Sequence, residues 1–188
     1  QELDFKIIKN SSKKRVFITG ASGEIATSIA KIFQDNGWLL LLQQRGEEKL
    51  KNNINEYEKN SKNLIIKADL NNKKDLKKVL KTLGGLKDLK AIIHTASPPV
   101  TGNLNDLVNV NYTALKSITE QVLPQMLINQ DGVIALLGSS AMITQVDGFE
   151  DYDASKSMAA NYLAGIDKKY SFYGVEGKVH APTFVSTK

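Results

Sequence analysis

The chain has 188 residues, 41% of them hydrophobic, with 25 Lys and Arg against 20 Asp and Glu and a formal net charge of +5. That length supports one domain with a substantial core, the apolar runs are far too short to cross a membrane, and the absence of cysteine excludes disulfides and thiolate metal sites. The positive charge comes from lysines interleaved with Asn and Glu, as in "NNKKDLKKVLK", a pattern of solvated helix faces rather than of a nucleic-acid-binding stripe. His94 and His180 lie far apart and offer no metal-ligand spacing. No signal-peptide pattern opens at Gln1, and the lack of cysteine fits a cytoplasm, the compartment expected.

Residues 1–14, ending in "NSSKK", read as a lead-in, and from Arg15 the pattern alternates. "RVFIT" is an apolar, β-branched run that stops at Gly20. Glu24 to Gln34 has helical periodicity and ends near Asn36-Gly37. "WLLLL" is the second strand, Glu47 to Tyr57 the second helix, and "NLIIKA" the third strand. Asp75 to Leu83 reads as helix, "LKAIIHT" as strand, and Leu104 to Asn129 as one long helix. "GVIALLG", a helix from Asp153 to Tyr170 and a short strand "KVHA" follow. Strands without polar alternation are buried on both faces, and helices between them imply right-handed parallel crossovers. The expectation is a doubly wound α/β sheet of the Rossmann type, a single domain over 15–188. Such sheets bind ligands at the carboxyl ends of their strands.

"TGASGEIA", Thr19 to Ala26, joins the first strand to the first helix. Gly20, Ser22, Gly23 and Ile25 are the residues expected to meet a dinucleotide, because glycines let backbone N–H groups approach an anion at a helix N-terminus. Glu24 is expected to point to solvent. After the second strand, "QQRGEE" places Gln44 where a ribose-binding acid is usually found, followed by Arg45. A missing acid and a present arginine favour NADP(H), with NAD(H) the alternative. In "YDASK", Tyr152 and Lys156 lie one helical turn apart on one face, where an ammonium favours the phenolate and suits the phenol to proton transfer.

With these residues in place the sequence resembles the short-chain dehydrogenase/reductase family from about Arg15 to Thr187. Thr19-Gly20 match the start of its glycine motif, although Glu24 and Ala26 stand where compact members carry glycine. Asp69-Leu70 resemble the pair beside the adenine, and "HTAS", His94 to Ser97, keeps only Ala96 of the Asn-Asn-Ala-Gly segment. His94 reads as a structural or cofactor-lining residue rather than a base. Asn111 resembles the family's asparagine whose distorted helix holds a water of the proton relay, and it follows Ser97 at an unusually short distance. Ser139, thirteen positions before Tyr152, matches the catalytic serine better than Ser140 does, and "YDASK" matches Tyr-x-x-x-Lys. "HAPTFVST" is similar to the nicotinamide-contacting segment, through Pro182, Val185 and Thr187.

The resemblance implies an NADP(H)-dependent oxidoreductase that passes a hydride between nicotinamide and a ketone or secondary alcohol, with a 3-oxoacyl thioester as the first substrate guess. The implied catalytic set is Asn111, Ser139, Tyr152 and Lys156. Tyr152 and Lys156 also join the cofactor contacts. A nucleotide-sugar epimerase, dehydratase or reductase and a non-catalytic NADP-sensing regulator are the alternatives. The partners expected are a small, possibly carrier-bound carbonyl compound and a second copy of the chain. A homodimer or homotetramer would pair through the long helix bearing Asn111 and the helix following Tyr152, where Ala159, Ala160 and Ala164 permit close approach; neither nucleic acid nor membrane is expected. The resemblance implies that the family's substrate lid and last strand would begin at about Lys188, where the sequence stops.

Overall fold

The computed structural model describes residues 14–46, 62–137 and 147–180. Six strands form one sheet: β1 (Arg15–Thr19), β2 (Leu39–Gln44), β3 (Leu64–Lys67), β4 (Leu89–His94), β5 (Gly132–Leu137) and β6 (Val175–His180). Their order is β3-β2-β1-β4-β5-β6, and every pairing is parallel. The helices are α1 (Glu24–Asp35), α2 (Lys73–Gly84), α3 (Leu104–Val108), α4 (Leu115–Asn129) and α5 (Glu150–Tyr170). The chain turns back across β1 to reach β4, so a crevice opens between the ends of those two strands, where a doubly wound sheet binds its ligand.

The strands are apolar because both faces of the sheet are covered. On one face Val16, Ile18, Leu40 and Leu42 pack under Ala26, Ile29, Ala30 and Phe33 of α1. On the other, Phe17, Leu41, Ile92 and Ile134 pack against α2, α4 and α5 through Val79, Leu83, Ile118, Val122 and Leu163. At about 25 cal/mol per Å² of apolar surface removed from water, these two layers supply the main drive for folding.

Three departures from the sequence expectations have physical causes. The long helix from Leu104 to Asn129 is interrupted by a π-helical turn over Asn109–Ala114, between α3 and α4. Hydrophobic periodicity does not register one extra residue in a turn. β6 begins at Val175, earlier than "KVHA", and runs in register with the whole of β5. Glu176 and Gly177 are weak strand formers, but Gly177 donates its N–H to Asp167 of α5 at 3.0 Å, and that close approach fixes the strand. Finally, Ala159 is fully buried in the protein's own core and Ala160 is packed against it, which leaves Ala164 exposed among the three small residues named for helix pairing. The helix expected over 47–57 lies outside the described residues.

Candidate active site

A cleft of about 410 Å³ opens at the carboxyl ends of β1, β2 and β4. Its floor is the turn after β1. Gly20 sits at φ +63°, and a Cβ there would come within 2.8 Å of the Ala96 Cα, so both conformation and space demand glycine. Gly23 caps α1 with no side-chain partner for the first N–H groups. The helix therefore presents uncapped donors and the positive end of its dipole to the cleft. Ser22 and Gly23 line it, Ile25 lines a smaller hollow beside it with Leu137 and Thr95, and Glu24 is exposed as expected.

Gln43, which the sequence reading passed over, holds this turn. Its Oε1 accepts the Gly20 N–H at 2.8 Å and its Nε2 donates to the Ala68 carbonyl at 2.6 Å. Strand alternation puts Gln43 in the cleft and turns Gln44 onto the face of Leu40 and Leu42. Gln44 is buried there, both polar atoms of its amide lacking a hydrogen-bond partner. The residue expected at the acid's place thus faces away from the cleft, and the residue that faces it is still an amide. Arg45 is exposed and lines the cleft. On the wall beyond it lie Asp69, whose Oδ1 accepts the Asn71 N–H at 2.9 Å, and Leu70, which is buried. Asn71 in turn donates to Asp106 at 2.7 Å.

The connection from β4 is short. A turn closes it where the Gly102 N–H donates to the Pro99 carbonyl at 2.8 Å, and Asn103 then caps α3 by accepting the Asp106 N–H at 3.0 Å. Ala96 lines the cleft and donates its N–H to the Thr19 hydroxyl at 3.2 Å.

Tyr152 and Lys156 share one face of α5, with the Lys156 Nζ 5.7 Å from the centre of the phenol ring. Lys156 is 2% exposed, and burial brings its ammonium down to about 8. Its Nζ points to the Leu137 carbonyl at 3.5 Å, at the end of β5. Asn111 is fully buried within the π turn and donates its amide to Ser155 Oγ at 2.9 Å, and Ser155 donates to the Tyr152 carbonyl at 2.8 Å. The Asn111 Oδ1 has no partner. No sequence pattern singles out Ser155 inside "YDASK"; its hydroxyl three positions after Tyr152 is the available signal. His94 is fully buried, and desolvation first and the Lys156 charge second press its imidazole down to about 3. The imidazole is therefore neutral in the folded protein near neutral pH.

The structure therefore brings Asn111, Ser155, Tyr152 and Lys156 together near the ends of β4 and β5. It gathers Gly20, Ser22, Gly23, Arg45, Asp69, Leu70 and Ala96 around the cleft. Ser139, Ser140, Pro182, Thr183, Val185 and Thr187 lie outside the described residues. A dinucleotide suits this cleft: uncapped helix N–H groups for a diphosphate, a glycine packed too tightly for any side chain, a cation at one end and a buried lysine near the other. No helix among the described residues is long and apolar enough to cross a membrane.

Comparison with known proteins gives a consistent picture. A family model described as short chain dehydrogenase matches residues 14–188. An uncharacterized oxidoreductase of Staphylococcus aureus (strain USA300) is 24% identical over 186 residues, spanning 93% of this chain and 79% of that protein. A protein of Danio rerio named very-long-chain 3-oxoacyl-CoA reductase-B is 24% identical over 193 residues, spanning 95% of this chain and 62% of its own length. Among solved structures, a short-chain dehydrogenase from Sphingobium yanoikuyae in complex with NADPH superposes with a TM-score of 0.82 at 24% identity, covering 92% of this chain and 72% of that one. A bulky-bulky ketone specific alcohol dehydrogenase from Comamonas testosteroni gives a TM-score of 0.82 at 24% identity, covering 90% and 72%.

Proposed function

This chain belongs to the short-chain dehydrogenase family of NAD(P)-dependent oxidoreductases, and from that premise we propose that it reduces a ketone to a secondary alcohol with NADPH, using Tyr152 as the proton donor. The observation that carries the reading is the pairing of Tyr152 with Lys156 on one face of α5, the lysine buried and its Nζ 5.7 Å from the phenol. The nicotinamide cofactor, when bound, supplies the hydride that reaches the carbonyl carbon. The chain's own residues manage the oxygen. Tyr152 Oη gives its proton to the carbonyl oxygen as the C–H bond forms. A cation beside a phenol stabilises the phenolate left behind, which favours that donation at neutral pH. Ser139, with Ser140 as the alternative, is assigned to hold the same oxygen by hydrogen bond. Lys156 is also assigned to the nicotinamide ribose, and Asn111 to a water-mediated path that returns a proton to Tyr152.

Support for NADPH over NADH is the exposed guanidinium of Arg45 in a cleft where Gln43 takes the place of a carboxylate. A 2′-phosphate pairs with a guanidinium, whereas a 2′-hydroxyl wants an acceptor. Gln43 brings no negative charge, and one lone pair of its oxygen already holds the Gly20 N–H. The first substrate class to test is a 3-oxoacyl thioester, in keeping with the name of the Danio rerio relative. Self-association through α4 and α5, and residence in the cytoplasm, complete the proposal; the lack of cysteine fits that compartment.

The direct test follows loss of NADPH absorbance across a panel of ketones and 3-oxoacyl thioesters, with NADH in parallel. Turnover of at least one carbonyl compound, faster with NADPH, is expected. Binding of NADPH with no turnover anywhere on the panel would favour the regulatory alternative instead.

A further inference from the structure

Among the described residues, one fully buried titratable side chain has no part in the chemistry above: His94. Its Nε2 lies 3.0 Å from the Val110 carbonyl and its Nδ1 3.0 Å from the Thr19 hydroxyl. A carbonyl only accepts, so Nε2 carries the ring proton and Nδ1 accepts from Thr19. The Thr19 oxygen then accepts the N–H groups of Thr95 and Ala96, each at 3.2 Å. Both ring nitrogens are satisfied in the neutral form, and the ring ties the end of β1 to the π turn.

The place of that tie is informative. Val110 immediately precedes Asn111, within the turn Asn109–Ala114. A π turn is less stable than an α turn and persists where the surroundings hold it. Only the donor from His94 reaches this carbonyl from another element among the hydrogen bonds described. Beyond it, Asn111 passes its amide to Ser155, and Ser155 reaches the Tyr152 carbonyl. A continuous set of hydrogen bonds and one peptide link thus runs from Thr19, at the end of β1, to the turn that carries the phenol.

We propose that His94 is a positioning residue, whose Nε2–H holds the Val110 carbonyl and so fixes the π turn that aims Asn111 at Ser155 and the Tyr152 helix. The part of this inference that concerns turnover rests on the reading of Tyr152 as the proton donor; the part that concerns the turn stands on geometry alone.

Two variants separate reach from mere filling. In His94→Asn the amide can still meet Thr19 but is too short for Val110, while in His94→Gln the longer side chain places an N–H near the Val110 carbonyl again. Hydrogen exchange read by mass spectrometry on the ligand-free protein should show faster exchange in residues 109–115 for His94→Asn and near-parental exchange for His94→Gln, with β1 and β5 unchanged in both. Turnover should fall about tenfold in His94→Asn and recover in His94→Gln, because small misplacements of catalytic groups are costly, with NADPH affinity unaltered in both. Equal exchange in parent and His94→Asn overturns the inference, as does exchange that rises evenly through the sheet or a His94→Gln protein no better than His94→Asn. If the parent reduces no carbonyl compound, the proposed function fails, and the exchange comparison alone decides the role of His94.

Discussion

At the Tyr152 end of the cleft the polar side chains are buried and hydrogen-bonded within the protein, whereas on the rim around Arg45 they stand at or near the surface. His94, Asn111 and Ser155 are fully buried and Lys156 nearly so. Arg45 is exposed, and Asp69, Asn71 and Asp106 are half-buried, tied by short bonds along the rim. Burying polar groups is costly unless every partner is in place, but it fixes geometry. Proton transfer needs that fixed geometry. Recognition of one phosphate needs only a reachable cation, and exposed charges are worth little to stability. Substitutions at the two ends should therefore behave differently: at the buried end they change rate and stability together, and at the open end they change preference alone.

Lys156→Ala should show the largest effect among the substitutions that probe this contrast. Turnover should fall on the order of a hundredfold or more, as for loss of a group that assists general acid catalysis, and NADPH affinity should drop with it. Steady-state kinetics together with a fluorescence titration of NADPH read both. A Lys156→Ala protein with parental cofactor affinity would detach the lysine from the ribose contact.

Arg45→Ala should be milder and selective. The NADPH-over-NADH preference should shrink by about tenfold, the scale of one exposed charge-assisted contact, while turnover at saturating cofactor and thermal stability stay near those of the parent. Titration of both cofactors checks it, and an unchanged preference would move 2′-phosphate recognition away from Arg45.

The last effect is read in stability alone, as a slope with pH. His94 titrates near 3 in the folded protein against 6.5 ordinarily, because burial opposes its charge. Between those values the unfolded chain binds more protons, so stability should fall as pH drops through that window. Lys156, lowered to about 8 from 10.5 by burial, acts in the other window: the unfolded chain again holds the extra proton, so stability should rise with pH between 8 and 10.5. Thermal melting of the parent and of His94→Gln across both ranges should show the acid slope weakened in the variant and the alkaline slope retained.

The same contrast explains what could be read from the sequence. The parallel sheet was legible because continuous apolar strands alternate with amphipathic helices, and a strand buried on both faces leaves no other reading. Thr19-Gly20 and the Tyr152–Lys156 spacing were legible because each is a local geometric demand, a left-handed turn in one case and one helical turn in the other. Less legible were features set by register. Gln43 and Gln44 are chemically identical, and only the folded strand, with the Gln43 amide on Gly20 and Ala68, shows which one faces the cleft. The distortion at Asn111 came from resemblance rather than periodicity. The tie from His94 to Val110 joins residues sixteen positions apart across two elements, which no local pattern encodes. Ser155 was hidden for a different reason: a serine on a helix is usually unremarkable until its partner is seen.

The most direct measurement is a single-turnover reduction with bound NADPH, comparing the parent with Tyr152→Phe on a carbonyl substrate found in the panel. The change removes one hydroxyl and keeps the ring, so folding and NADPH affinity should be preserved. Hydride transfer should slow by roughly a hundredfold to ten-thousandfold, the usual cost of losing a general acid. A Tyr152→Phe protein that transfers hydride as fast as the parent would contradict the account.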